Sequence, residues 1–173
     1  LSECCLKFGQ RIVDCRSPRK RLAARPMASL LPFAAVVVAA GKGLRAGGDV
    51  PKQFSVWRGK PLVWHSVEAL ARTGARPIVV AIPAGADALA RQALAGIDDV
   101  EFVTGGETRQ DSVRLGLEAL AAEMPQAEIV LIHDGARPFS SPDMIARAWE
   151  AAKAHGAAVP GLALTDTVKE IDE

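Results

Sequence analysis

From residue 33 onward the apolar positions follow two alternating rhythms. Short runs dense in branched residues, "FAAVVVAA" (33–40) and "PIVVAIP" (77–83), read as buried strands. "VEFVTGG" (100–106) reads as a strand entering a glycine turn, and "EIVLIHDGARPF" (128–139) as a strand ending in a polar turn. Between them lie segments of helical period. "PLVWHSVEALART" (61–73) carries Leu62, Val63, Val67, Leu70 and Ala71 on one stripe, with Pro61 near its start. "ADALARQALAG" (86–96) reads as a short helix stopped by Gly96, and "TRQDSVRLGLEALAAEM" (108–124) as the longest. "SPDMIARAWEAAKAHG" (141–156) has Ser141 as N-cap and Pro142 at the first helical position. A fifth strand is expected over "AAVPGLAL" (157–164). Regular β–α alternation predicts an α/β fold: a doubly wound, mostly parallel sheet with helices on both faces. Ligands of such sheets bind beyond the carboxyl ends of the strands, so the turns after Val38, Val103 and Ile132 are where chemistry is expected.

Composition changes this picture only at the N-terminus. An apolar fraction of 49% and a charged fraction of 24% are ordinary for a globular domain, and 173 residues suffice for one core. No apolar run approaches the roughly 20 residues that span a bilayer. Residues 1–26 hold seven Lys/Arg against Glu3 and Asp14, a net of +5, which leaves −4 for the rest of a chain totalling +1. All three cysteines (Cys4, Cys5, Cys15) sit there too. They lack the paired spacing and fourth ligand of a zinc site. The Arg-rich segment can be read as a transit peptide, a reading weakened by its acidic residues and poor amphipathicity; a secretory signal, lacking an apolar core, fits worse. The segment is read as a non-native or disordered leader, followed by the working domain over 27–173. A body without thiols fits a cytoplasmic protein.

The candidate chemistry lies in three stretches. "VVVAAGKGLRAGGDVPKQ" (36–53) ends a strand in a glycine-rich loop bearing Arg45 and Lys52. Gly41-x-Gly43-x-x-Ala46 matches the dinucleotide fingerprint, but Gly47, Gly48 and Pro51 prevent the helix that must follow, and the later acidic residue is missing. A Walker A loop fails for want of Gly-Lys-Ser/Thr. Such a loop can instead wrap a triphosphate with amides and cations. In "IHDGARPF" (132–139), Asp134 is either a turn aspartate or a carboxylate holding Mg²⁺ on nucleotide phosphates, with Arg137 facing an anionic substrate. His133 is read as structural, and His65 and His155 as helical residues without partners. In "TGGETRQDSV" (104–113), two glycines open a helix that carries Thr108, Arg109, Asp111 and Ser112 in its first turns. Either this is a helix N-terminus with Glu107 and Asp111 suited to its dipole, or free amides, Arg109 and Ser112 read a base or sugar. All three stretches fall on one edge of the sheet.

Together with "TDTVK" (165–169), these motifs resemble the cytidylyltransferases that join 2-C-methyl-D-erythritol 4-phosphate to CTP in the non-mevalonate isoprenoid pathway. The resemblance runs from about Phe33 to Lys169 and implies a Rossmann-like nucleotidyltransferase fold. It implies that Arg45 and Lys52 stabilise the transition state at the α-phosphate and that Asp134 binds Mg²⁺. Gly106, Ser112 and the Ala39–Ala40 backbone would read cytosine, with Arg109 beside them and Gly41 and Gly43 in the phosphate loop. Arg137 and Thr167 would contact the acceptor phosphate. Leu44 stands where some members are basic. The family's further Arg and Lys, and the arm through which it forms homodimers, lie downstream of Thr167, so this stretch is expected to be inactive alone. Some relatives are fused to a cyclodiphosphate synthase. The alternatives are a cytidylyltransferase for another polyol phosphate such as ribitol 5-phosphate, or a non-catalytic nucleotide-binding module. Neither nucleic acid nor a membrane is expected as a partner.

Overall fold

The computed structural model describes residues 6–8, 11–13, 33–41 and 51–161. Strands Phe33–Val38 (β3), Ala75–Ile82 (β6), Val100–Thr104 (β7) and Val130–Asp134 (β8) form a sheet in the order β7-β6-β3-β8, with every pairing parallel. The preceding strands are Leu6–Phe8 (β1) and Arg11–Val13 (β2), an antiparallel pair in a segment whose sequence shows no strand period. Helices Leu62–Arg72 (α1), Asp87–Ala93 (α2), Arg109–Glu123 (α3) and Pro142–His155 (α4) complete the alternation.

Strand geometry distributes the core. Successive side chains of β3 point to opposite faces. Phe33, Ala35 and Val37 meet Val63, Val67 and Leu70 of α1, Ala90 and Ala93 of α2, and Ile145 and Trp149 of α4 in one cluster. Ala34 and Val36 instead join Val79 and Leu120 of α3 in another. Helices therefore cover both faces, three on one and α3 on the other. Gly116 lets α3 come close: a methyl there would lie 2.5 Å from Val36 Cγ1.

Ser141 caps α4, its hydroxyl accepting from the Met144 amide at 3.2 Å, with Pro142 at the first position. Two expectations change. The helix foreseen over 86–96 stops at Ala93, short of Gly96 (φ 88°). The fifth strand does not form over 157–161, and 162–164 lie outside the described residues. Gly156 leaves α4 with φ 84°, and Pro160 has no N–H for a ladder, so the chain is irregular there. A short hairpin, Val56–Trp57 (β4) with Lys60–Pro61 (β5), was not legible; a 3-10 turn at Lys52–Phe54 precedes it.

The order β7-β6-β3-β8 places the reversal of winding between β3 and β8. A crevice opens at such a point, outside the carboxyl ends of the strands.

Candidate active site

Three strand ends build that crevice. Beyond Val38 the backbone of β3 steps off the sheet, and the Ala39 amide makes a last bond to the Ala81 carbonyl at 2.8 Å. On one side lies the turn after β8, where the Gly135 amide donates to the Val38 carbonyl at 2.8 Å. The buried Ser66 hydroxyl of α1 donates to the Gly135 carbonyl at 3.0 Å and fixes that turn from beneath. On the other side, the turn after β7 presses against Ala40. A methyl on Gly105 would sit 2.2 Å from Ala40 Cβ, and one on Gly106 2.3 Å from Asp111 Cβ. Glycine is required at both positions by close approach, not by backbone angle.

Thr108 caps α3 reciprocally. Its hydroxyl oxygen accepts from the Asp111 amide at 3.1 Å, and its own N–H donates to the Asp111 carboxylate at 3.2 Å. The Thr108 hydroxyl and amide together hold the Asp111 carboxyl below the usual carboxylate range. The capping role foreseen for this stretch is therefore present. Ser112 is 2% exposed and its hydroxyl is engaged: it accepts from the Gly106 amide at 3.1 Å and donates to the Thr108 carbonyl at 3.0 Å. The free Gly106 amide expected from the sequence is thus used within the loop, and Ser112 shapes the turn from inside.

Asp134, the last residue of β8, lies between two arginines. Oδ1 accepts from Arg109 Nε at 3.0 Å and Nη2 at 2.8 Å, and Oδ2 pairs with Arg137 Nε at 2.8 Å. Both guanidinium groups are exposed beside a half-buried carboxylate. The motifs at 104–113 and 132–139 thus meet in one ion-pair triad, which the sequence could not show. His133 Nε2 donates to the Arg137 carbonyl at 3.0 Å, the structural part expected of it. Burial holds its imidazole below the ordinary histidine range, against the opposing pull of that hydrogen bond and of Asp134. His65 does have a partner, contrary to expectation: Nε2 donates to the Trp57 carbonyl at 2.8 Å, between the edges of Trp57 and Trp64.

The cleft over these turns measures about 1080 Å³ and is lined by Ala39, Ala40, Gly41, Gly106, Arg109, Ser112, Asp134 and Arg137, with Lys52 at its side. The remaining site candidates, Gly43, Arg45 and Thr167, lie outside the described residues. No group of three or more His, Cys, Asp or Glu converges among the described residues. No helix among them is long and apolar enough to cross a membrane. Two positions without a periodic signal, Gln53 and Ser66, prove to be buried polar residues bonded to the cleft's backbone.

Known proteins resemble this chain in sequence and fold. The chain is 56% identical over 136 residues to the bifunctional enzyme IspD/IspF of Erythrobacter litoralis, covering 79% of this chain and 35% of that protein. It spans about a third of the length of the curated relatives it matches. The 4-diphosphocytidyl-2C-methyl-D-erythritol synthase of Anaerococcus prevotii superposes with a TM-score of 0.57 at 28% identity, over 70% of this chain and 50% of that one. The bifunctional IspDF of Campylobacter jejuni gives 0.58 at 26% identity, over 72% and 31%. Residues 33–173 match the family described as IspD, 2-C-methyl-D-erythritol 4-phosphate cytidylyltransferase, and the chain belongs to that family.

Proposed function

We propose that this chain is the nucleotide-binding part of an enzyme that transfers the cytidylyl group of CTP to 2-C-methyl-D-erythritol 4-phosphate and releases pyrophosphate. The observation that carries this reading is the convergence of Ala39–Gly41, the 105–109 turn and the Asp134–Arg137 turn, with Lys52, in one cleft. A triphosphate is a polyanion, and Lys52, Arg109 and Arg137 supply three cations around it. The acceptor's phosphate monoester is already an anionic nucleophile and needs no general base. One of its oxygens bonds to the α-phosphorus of CTP while the bond from that phosphorus to the bridging oxygen breaks, and pyrophosphate departs. What the protein contributes is alignment and charge stabilisation.

Lys52, with Arg45, is assigned to the charge growing at the α-phosphate. Arg137, with Thr167, is assigned to the acceptor's phosphate. The 105–106 turn, shaped by Ser112, and the Ala39–Ala40 backbone are assigned to the cytosine, and Gly41 and Gly43 to the phosphates. Asp134 would hold Mg²⁺. A site with one carboxylate suits this hard cation, which keeps several waters and takes its other ligands from substrate phosphates. The ion would neutralise charge on the departing pyrophosphate. Asp134 already serves as a counterion, and taking up a cation there would free Arg109 and Arg137 for phosphate. The working unit is assigned to a cytoplasmic homodimer that includes residues 27–173; family membership supports the dimer and the thiol-free body the compartment.

Melting the chain with Mg²⁺ and, separately, CTP, UTP, ATP, GTP or NADPH tests this, because a ligand bound to the folded state raises Tm. CTP is expected to give the largest rise. A rise with NADPH and none with CTP would overturn the proposal.

A further inference from the structure

Gln53 is 5% exposed and spends both amide hydrogens on one stretch of backbone. Nε2 donates to the Ala39 carbonyl at 2.6 Å and to the Gly41 carbonyl at 2.8 Å. Two acceptors facing one group require the NH₂ end of the amide, which fixes its orientation. The pairing of β3 with both neighbours ends at Val38, so the carbonyls beyond it have left the ladder. A buried carbonyl without a donor costs free energy, and Gln53 supplies one.

The same short turn carries Lys52 and Phe54. Phe54 is buried in the core beneath α1, and the turn closes on itself through Phe54 N–H to the Pro51 carbonyl (2.8 Å) and Ser55 N–H to the Lys52 carbonyl (3.1 Å). Lys52 is thus exposed at the cleft while both residues after it are locked, one into the core and one onto the end of β3. A lysine ammonium on its flexible stem has no geometry of its own, so its aim depends on where its backbone is held.

We propose that Gln53 is a positioning residue: by bonding Ala39 and Gly41 it sets the reach of the Lys52 ammonium to phosphate bound over the end of β3. This rests on the assignment of Lys52 to phosphate made above. A purely structural glutamine would weaken the fold whether or not Lys52 were present. A positioning one loses its effect once Lys52 is gone.

A double-mutant cycle on the full chain decides between them, read as the Kd of Mg·CTP by titration calorimetry, with Tm as the control for folding. Gln53→Met keeps the length and removes both donors. It is expected to raise Kd about tenfold in the wild-type background and less than about twofold in Lys52→Ala, a charge-assisted contact commonly being worth that much. Equal losses in both backgrounds, or no loss in either, would overturn the proposal. If Gln53→Met does not fold, Gln53→Asn keeps an amide but is one methylene too short to reach both carbonyls, and it enters the same cycle. Absence of CTP binding by the wild-type chain would overturn the functional reading itself, a result distinct from additive losses.

Discussion

Replacing Asp134 by asparagine separates holding the fold from holding a cation. The carboxylate binds Arg109 and Arg137 at 2.8 Å each, but the arginine side chains are 58% and 77% exposed. Exposed ion pairs contribute about 0–1 kcal/mol each. Two such pairs limit the loss of stability to about 2 kcal/mol, and asparagine retains one acceptor oxygen. For a chain of this size that is a fall in Tm of about 4–8 °C at most. On the binding side the change is qualitative. Wild-type protein at a ligand concentration of 100 times Kd should gain about 2.7 kcal/mol, roughly 5–11 °C. The variant should lose the part of that gain which depends on Mg²⁺, because a neutral amide is a poor ligand for a hard divalent ion. With chelator present the order should reverse. Arg109 and Arg137, relieved of their counterion, should hold CTP at least as well as in the wild type. Thermal melts with CTP, with and without Mg²⁺, check all of this in one plate. A variant that keeps the full Mg²⁺-dependent rise would refute the role of Asp134 as metal ligand. A loss of stability above about 4 kcal/mol would show that the triad holds the fold.

Two further outcomes concern the frame of the cleft. Gly116→Ala gains about 1 kcal/mol of helix propensity but forces a methyl to within 2.5 Å of Val36 Cγ1. Overpacking of this kind costs about 1–3 kcal/mol, so the variant should be less stable in urea, and Val36→Ala added to it should cost less than the sum of the two. Acid should loosen the start of α3. Thr108 lowers the Asp111 pKa in the folded state, so this contribution is fully present above the unfolded value and is lost as pH falls through the folded one. Asp111→Asn should therefore be less stable than wild type at neutral pH, with the gap closing below about pH 4. A gap that stays constant with pH would refute the assignment.

Local pattern determined much of this protein. Valine-dense runs such as Phe33–Val38 and Ile78–Ile82 are buried strands, and the stripe through Val63, Val67 and Leu70 is the inner face of α1. The caps at Thr108 and Ser141 stand where their residue types imply. So do the three turns that carry the site, since β–α alternation puts every strand's carboxyl end on one edge. These features depend on neighbours a few positions apart, and periodicity records them. Over 157–161 the expected fifth strand does not form for the complementary reason: Pro160 interrupts a run whose apolar content alone looks like a strand.

Tertiary structure alone decided what holds the site. The bond from Ser66 to Gly135 spans 69 positions, and the Arg109–Asp134 pair 25. Gln53 reaches back 14 positions to Ala39 from a turn with no regular period. Whether a glutamine faces water or a strand end depends on which backbone is brought beside it. That was fixed only when the parallel sheet set β3 between β6 and β8 and left the carbonyls beyond Val38 in need of a donor.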